Sequence, residues 1–220
     1  MNLFLNTVLD DPFYFGAWVI IIAFSICVHE YAHAYVALRC GDDTAADHGH
    51  LTLNPFKQMG LNSLIALLLF GIAWGAVPVD PRRLRSRSAA AAVSFAGPAA
   101  NLLLAVISAL IWAVLVRFDL FDGEAGHPAM FFNYAMLANC VLFLFNLLPI
   151  PMFDGWSVFA LFFPAMLNIA ASTAQTVSWL FLAVMFGSPA GRFIWHYGLG
   201  LAQLVGRGSS ALVTLVCGAG

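Results

Sequence analysis

Residues 15–38 form an apolar stretch broken only by His29, Glu30 and His33. At 1.5 Å per residue, a helix of that length crosses a hydrocarbon core of about 30 Å. Lipid offers no hydrogen bonds to a backbone, so a segment of this kind is stable there only if it satisfies its own N–H and C=O groups, which a helix does. The stretch is therefore predicted to span a membrane. No Lys or Arg precedes Arg39, so the run lacks the positive start of a secretory signal and is expected to be retained. The rest of the chain agrees. Of 220 residues, 62% are hydrophobic and 9% charged, with a mean hydropathy of +0.88, where a soluble domain has roughly half apolar and a quarter charged residues.

Further apolar runs follow at residues 89–116, 129–148, 167–186 and 193–217, the last interrupted by Arg207 and several glycines. Residues 61–77 are apolar but short, enough to span once or to dip in and return. Where residues 39–88 start and finish on one side, as the topology below requires, they are too short to cross twice and are expected to form a re-entrant or interfacial element. Residues 39–62 are rich in Gly, Asp, Thr and Pro and read as turns and short strands. The fold class expected is thus all-α, a polytopic helical membrane protein. It would have about five to six membrane segments, with a short re-entrant or β-hairpin segment after the first helix. The formal charge of −2 disfavours a nucleic-acid partner. Cys27, Cys40, Cys140 and Cys217 form no CxxC pair and read as free thiols.

His29-Glu30-Tyr31-Ala32-His33 is an HExxH motif inside the first apolar helix. With six histidines and two glutamates in the chain, chance would produce it roughly 0.0015 times. Spacing of i and i+4 puts both imidazoles on one face, where they can share a zinc ion, while Glu30 can reach the water activated there. The competing reading is a buried hydrogen-bonded cluster or proton relay. An ionisable group at such depth costs at least about 2.5 kcal/mol unless paired, which favours function. Zinc of this type needs a third protein ligand. Asp154 ends an apolar span, in a loop whose prolines and Gly155 free the backbone to present a side chain. A metal- or proton-conducting protein, or an inactive scaffold that binds transmembrane helices, remains the alternative at this point.

The HExxH helix and the later Asn146-Leu147-Leu148-Pro149-Ile150-Pro151-Met152-Phe153-Asp154-Gly155 segment, of the form NxxPxxxxDG, together resemble the site-2 protease family of intramembrane zinc metalloproteases. The resemblance extends through GHLTLNPF (residues 49–56), GAVPVDPRRLR and AGPAAN (residues 96–101), about residues 20–160 in all. It is closest to the short bacterial branch without a PDZ domain. It implies one Zn²⁺ per chain held by His29, His33 and Asp154, Glu30 as catalytic base, and Asn146 as a substrate or oxyanion contact. It also implies a single integral-membrane protease domain over residues 1–220, with a core at about 15–160 and C-terminal membrane helices at 165–217. Its partners would be the lipid bilayer and transmembrane protein substrates, cut within or near their spans. Short members often follow TLNP with a nearby His and Asp, where this chain reads Lys57-Gln58-Met59-Gly60.

The Arg82, Arg83, Arg85 and Arg87 cluster reads as a topology signal facing the cytoplasm. Residues 89–116 then run outward and 129–148 return, which puts Asp154 near the cytoplasmic side of a bacterial plasma membrane. The first helix must also run inward for His29 and His33 to meet it. An extended substrate is expected to pair with an edge strand from residues 39–62. His48 and His50 are loop histidines with at most an accessory role, and Asn101 reads as an interhelical hydrogen-bonding residue.

Overall fold

The computed structural model describes residues 3–218, and its principal elements are helices. In chain order they are α1 (Pro12–Arg39), α2 (Gly60–Phe70), α3 (Arg87–Arg117), α4 (His127–Asn146), α5 (Asp154–Phe162), α6 (Ala171–Gly187) and α7 (Gly191–Cys217). Four of them, α1, α3, α4 and α7, are long and apolar enough to cross a membrane, and α2 and α6 are shorter apolar helices. The molecule is an all-α polytopic membrane protein.

Helix α1 begins where Asp11 accepts a hydrogen bond from the Tyr14 amide, with Pro12 in its first turn, so one orphan donor is capped and Pro sits where no N–H is needed. Its core contacts are to α3 and α4. His29 and His33 meet Asn101 and Val93, so α1 and α3 are antiparallel. Phe13 stacks on His127 and Ser25 meets Asn139, so α1 and α4 run the same way. Ala34 and Ala37 of α1 are wholly buried, as are Ala105, Ala109 and Cys140 in a second cluster where α3, α4 and α7 meet. Small side chains let backbones approach, which is where helix association in lipid gains its dispersion energy. Helix α7 packs Gly198 on Val141 and Gly206 near Met136, antiparallel to α4.

Residues 40–59 contain no strand. Thr44–Asp47 and Pro55–Gln58 are single helical turns, and no strand occurs anywhere among the described residues. The expected strands fail because side chains take the backbone partners a ladder would use. Asn54 accepts from the Phe56 amide, and the buried Gln58 donates to the carbonyls of both His50 and Thr52. Gln58 thus gives the divergent Lys57–Gly60 stretch a structural task.

Helix α2, at 11 residues, is about 16 Å long, roughly half a hydrocarbon core. It ends at Gly71 in the left-handed conformation (φ 72°), and residues 72–79 return extended. Trp74 bonds Ser63 through both its N–H and its C=O. The Ala76 amide donates to the Gln58 carbonyl at 3.0 Å. The segment therefore goes in and comes back to the end of the bundle where it started. There Asp42 accepts from the Asp80 amide, and Arg83 pairs with Asp43.

Candidate metal centre and catalytic site

The two histidines lie one turn apart on α1, and each imidazole is held from behind. His33 Nδ1 donates to the Val93 carbonyl at 2.7 Å, and His29 Nδ1 meets Asn101 Oδ1 at 2.7 Å. The Val93 carbonyl belongs to the turn of α3 that Pro98 loosens by removing the N–H due to Ser94. With hydrogen on Nδ1, both Nε2 atoms carry lone pairs, and they stand 3.0 Å apart.

Asp154 completes the group from the far end of the chain. Pro149 and Pro151 end α4, and Met152 takes a left-handed backbone (φ 74°), a conformation that costs about 1–2 kcal/mol for a residue with a side chain. The Ser178 hydroxyl of α6 holds the Pro151 carbonyl, and Phe153 packs on Phe145 and Phe181. Asp154 then opens α5, where the helix dipole favours a carboxylate. Its oxygens lie 3.1 Å from His29 Nε2 and 3.2 Å from His33 Nε2.

Three ligand atoms about 2.05 Å from a tetrahedral zinc lie about 3.3 Å apart. The two Nε2 atoms stand 3.0 Å apart, and the Asp154 carboxylate reaches them through different oxygens, Oδ2 3.1 Å from His29 and Oδ1 3.2 Å from His33, so the donors converge on that scale. Asp154 Oδ2 is buried without a hydrogen-bond partner, although His29 Nε2 lies 3.1 Å away. Converging lone pairs and a carboxylate repel one another unless a cation sits among them. The donor set therefore fits zinc, and it is the one such group among the described residues.

Helix α3 makes room for the centre. A Cβ on Gly97 would sit 2.5 Å from His29 Nε2 and 2.6 Å from its Cε1, and nearer still to His33 Nε2. Only glycine leaves that space open. A Cβ on Gly75 would sit 2.5 Å from the Glu30 carboxylate, so the returning segment runs flush against Glu30.

Glu30 lines two chambers that share His29, Gly75 and Asn146 in their walls. One, of about 340 Å³, is walled by apolar side chains including Trp18, Ile22, Phe145, Phe153 and Trp195. The other, of about 410 Å³, includes Ser94, Asp154, Ser157 and the backbone of residues 75–77. Asn146 borders both, its Nδ2 donating to the Leu142 carbonyl. His48 and His50 are not brought to this group, bonding instead to the Thr44 carbonyl and Gln58. Asn101 does hydrogen-bond between helices, to Asn139, and also touches His29. Sequence reasoning missed Gly75, the special place of Gly97, and Asn139. Asn139 carried one usable signal, an amide in the middle of an apolar span.

Comparison with known proteins bears on the chain as a whole. A family model described as Peptidase family M50 matches residues 17–127. The Bacillus subtilis (strain 168) protein named "Putative zinc metalloprotease YwhC" is 36% identical over 180 residues, covering 80% of this chain and 82% of its own. The Mycolicibacterium smegmatis (strain ATCC 700084 / mc(2)155) protein named "Putative zinc metalloprotease Rip2" is 34% identical over 187 residues, 80% of this chain and 70% of its own. The protein of the same name from Mycobacterium tuberculosis (strain ATCC 25618 / H37Rv) is 33% identical over 196 residues, 84% of this chain and 73% of its own. No solved structure matches the chain.

Proposed function

The chain belongs to peptidase family M50, the site-2 proteases, and from that premise we propose that His29, His33 and Asp154 hold its zinc ion while Glu30 is the base of peptide hydrolysis. The activity is that of an intramembrane zinc metalloprotease acting on membrane proteins. The observation that carries the assignment is the convergence of His29 Nε2, His33 Nε2 and the Asp154 carboxylate, with contacts of 3.0–3.2 Å, and Glu30 one residue along the same helix.

Zinc bound there supplies Lewis acidity, activating water near neutral pH and polarising the scissile carbonyl. Glu30 follows His29 by one residue, so it is turned about 100° around the helix, away from the ligand positions and toward the chambers. Its carboxylate takes the proton from the attacking water and delivers it to the leaving amine. Asn146, with one amide hydrogen committed to Leu142, has the other available to donate to a substrate carbonyl and its oxygen available to accept from a substrate N–H.

A substrate helix has no free carbonyl to offer until it unwinds. The apolar chamber suits the side chains of an unwound stretch, and the polar chamber supplies water. Trp74 and Ala76 point their backbone groups toward Ser63 and Gln58. Strand alternation then turns Gly75 and Val77 the other way, where an extended substrate could be received by pairing. Residues 72–79 thus take the role first expected of residues 39–62.

The orientation proposed has the arginine cluster at residues 82–87 and the metal centre toward the cytoplasm of a bacterial plasma membrane. The whole chain then works as one membrane protease domain. The test is reconstitution in vesicles with a single-span substrate. Wild type is expected to carry one zinc per chain and cleave. Cleavage should stop on chelation and return with zinc. Zinc binding without cleavage of any helical substrate would overturn the protease reading in favour of a metal-handling protein.

A further inference from the structure

A ligand histidine works only in one tautomer, and what imposes that tautomer on His29 can be read from four buried contacts. His29 Nδ1 faces the side chain of Asn101, whose amide could offer either its oxygen or its NH₂. The wrong end would drive the ring hydrogen onto Nε2, where a metal needs a lone pair.

The order is fixed two residues away. The Ala135 carbonyl can only accept, and it lies 2.9 Å from one end of the Asn139 amide, so that end is the NH₂. The second hydrogen of this NH₂ goes to Ser25 Oγ at 2.9 Å. Asn139 Oδ1 must then face Asn101, whose NH₂ donates to it at 3.0 Å. The Asn101 oxygen is left for His29 Nδ1, 2.7 Å away, and that nitrogen carries the hydrogen. Asn101 and Asn139 are 0% and 2% exposed, so no water can replace a partner that turns.

We propose that Asn139, oriented by the Ala135 carbonyl between α1 and α4, is a positioning residue that fixes the polarity of Asn101 and through it the metal-binding tautomer of His29. This rests on the reading of His29 as a zinc ligand. Asn139 touches neither the metal position nor Glu30, and its side chain ties α1, α3 and α4 at the level of the motif.

The polarity makes side-chain chemistry at position 139 decisive in a way that packing alone is not. Asn139→Leu removes the oxygen that holds the Asn101 amide, leaving it free to turn. Asn139→Asp, protonated by burial, still accepts from Asn101 while its hydroxyl donates to Ala135.

The experiment is zinc affinity by chelator competition on purified full-length protein, with helicity monitored, together with ¹⁵N-imidazole NMR of metal-stripped wild type. Asn139→Leu is expected to weaken zinc binding about 10- to 100-fold, the range for lost outer-shell partners. Asn139→Asp should stay close to wild type. Equal losses from Leu and Asp at 139, or no loss from Asn139→Leu, would overturn the proposal. The NMR needs no variant to fold, since hydrogen on His29 Nδ1 is expected and hydrogen on Nε2 would overturn it. A wild type that binds no zinc would instead refute the metal site, and the tautomer would still be read.

Discussion

Substituting Gly97 by alanine adds one methyl group at the place where the geometry leaves least room. That methyl would sit 2.5 Å from His29 Nε2 and closer still to His33 Nε2. Ordinary non-bonded contact needs about 3.5 Å, so either α3 or the imidazoles must retreat by about 1 Å. Zinc–nitrogen bonds of about 2.0–2.1 Å tolerate errors of only about 0.2 Å. Helix α3 cannot retreat freely, because Ala105 and Ala109 on it are 0% exposed and a shift would open that packing. We therefore expect Gly97→Ala to lose most of its zinc, and to lose activity by at least the roughly 10²-fold that a 1 Å misplacement costs. The helix itself should not suffer, since Ala is favoured over Gly by about 1 kcal/mol in a helix interior. Gly200→Ala is the matched control, on α7 with nothing within 4 Å of the new Cβ. The assay is zinc content and chelator competition, beside thermal unfolding in detergent and cleavage of a reconstituted substrate. A Gly97→Ala protein that holds zinc and cleaves as wild type does would refute the placement of the metal beside α3.

Other outcomes follow from the same geometry. Glu30→Gln keeps the shape and should keep zinc, while cleavage falls by about 10²- to 10⁴-fold, the usual share of general acid–base catalysis; zinc analysis and a cleavage assay on one preparation check both. Asp154→Ala should lose zinc and activity together, whereas Asp119→Ala and Asp122→Ala, in the loop between α3 and α4, should lose neither by the same two measurements. Burial alone would raise the pKa of Asp42, but hydrogen bonds from the Thr44 hydroxyl and amide and the Asp80 amide, with the charge of Arg83, outweigh it and hold it below the usual carboxylate value. A carboxyl lowered in the folded state stabilises above its unfolded pKa and ceases to do so as pH falls through its folded value. The joint between residues 42–44 and 80–83 should therefore loosen below about pH 4, read as faster proteolysis there, with Asp42→Asn already looser at neutral pH and less steeply pH-dependent, since Asp43 and Asp80 still pair with Arg83 and Arg82.

Chain order alone determined the elements whose cause is local. Length and hydropathy place α1, α3 and α4, because a spanning helix satisfies its backbone without help from the rest of the chain. HExxH is legible since i and i+4 fall on one face of any helix, and Asp154 because prolines end the preceding span beside it. The shortness of residues 61–77 argued for an element that goes in and returns. What decided its path was tertiary: Ser63 bonding Trp74 and Gln58 bonding Ala76, pairs 11 and 18 residues apart whose meeting no local pattern announces. Residues 39–62 read as strands because turn residues carry the same composition whether the backbone finds its partners in a ladder or, as here, in side chains. At the candidate metal centre only the packed structure shows what holds His29, His33 and Asp154. The Val93 and Ala135 carbonyls have no side-chain signature. Gly97 looks like any other small residue until two imidazoles stand against it, and Asn139 looks like an isolated amide until Asn101, Ser25 and Ala135 surround it. Apart from the Ala135 contact, which lies within α4, each of these acts through hydrogen-bond direction or excluded volume between helices 38 to 114 positions apart in the chain, and such constraints come into existence only when the helices pack.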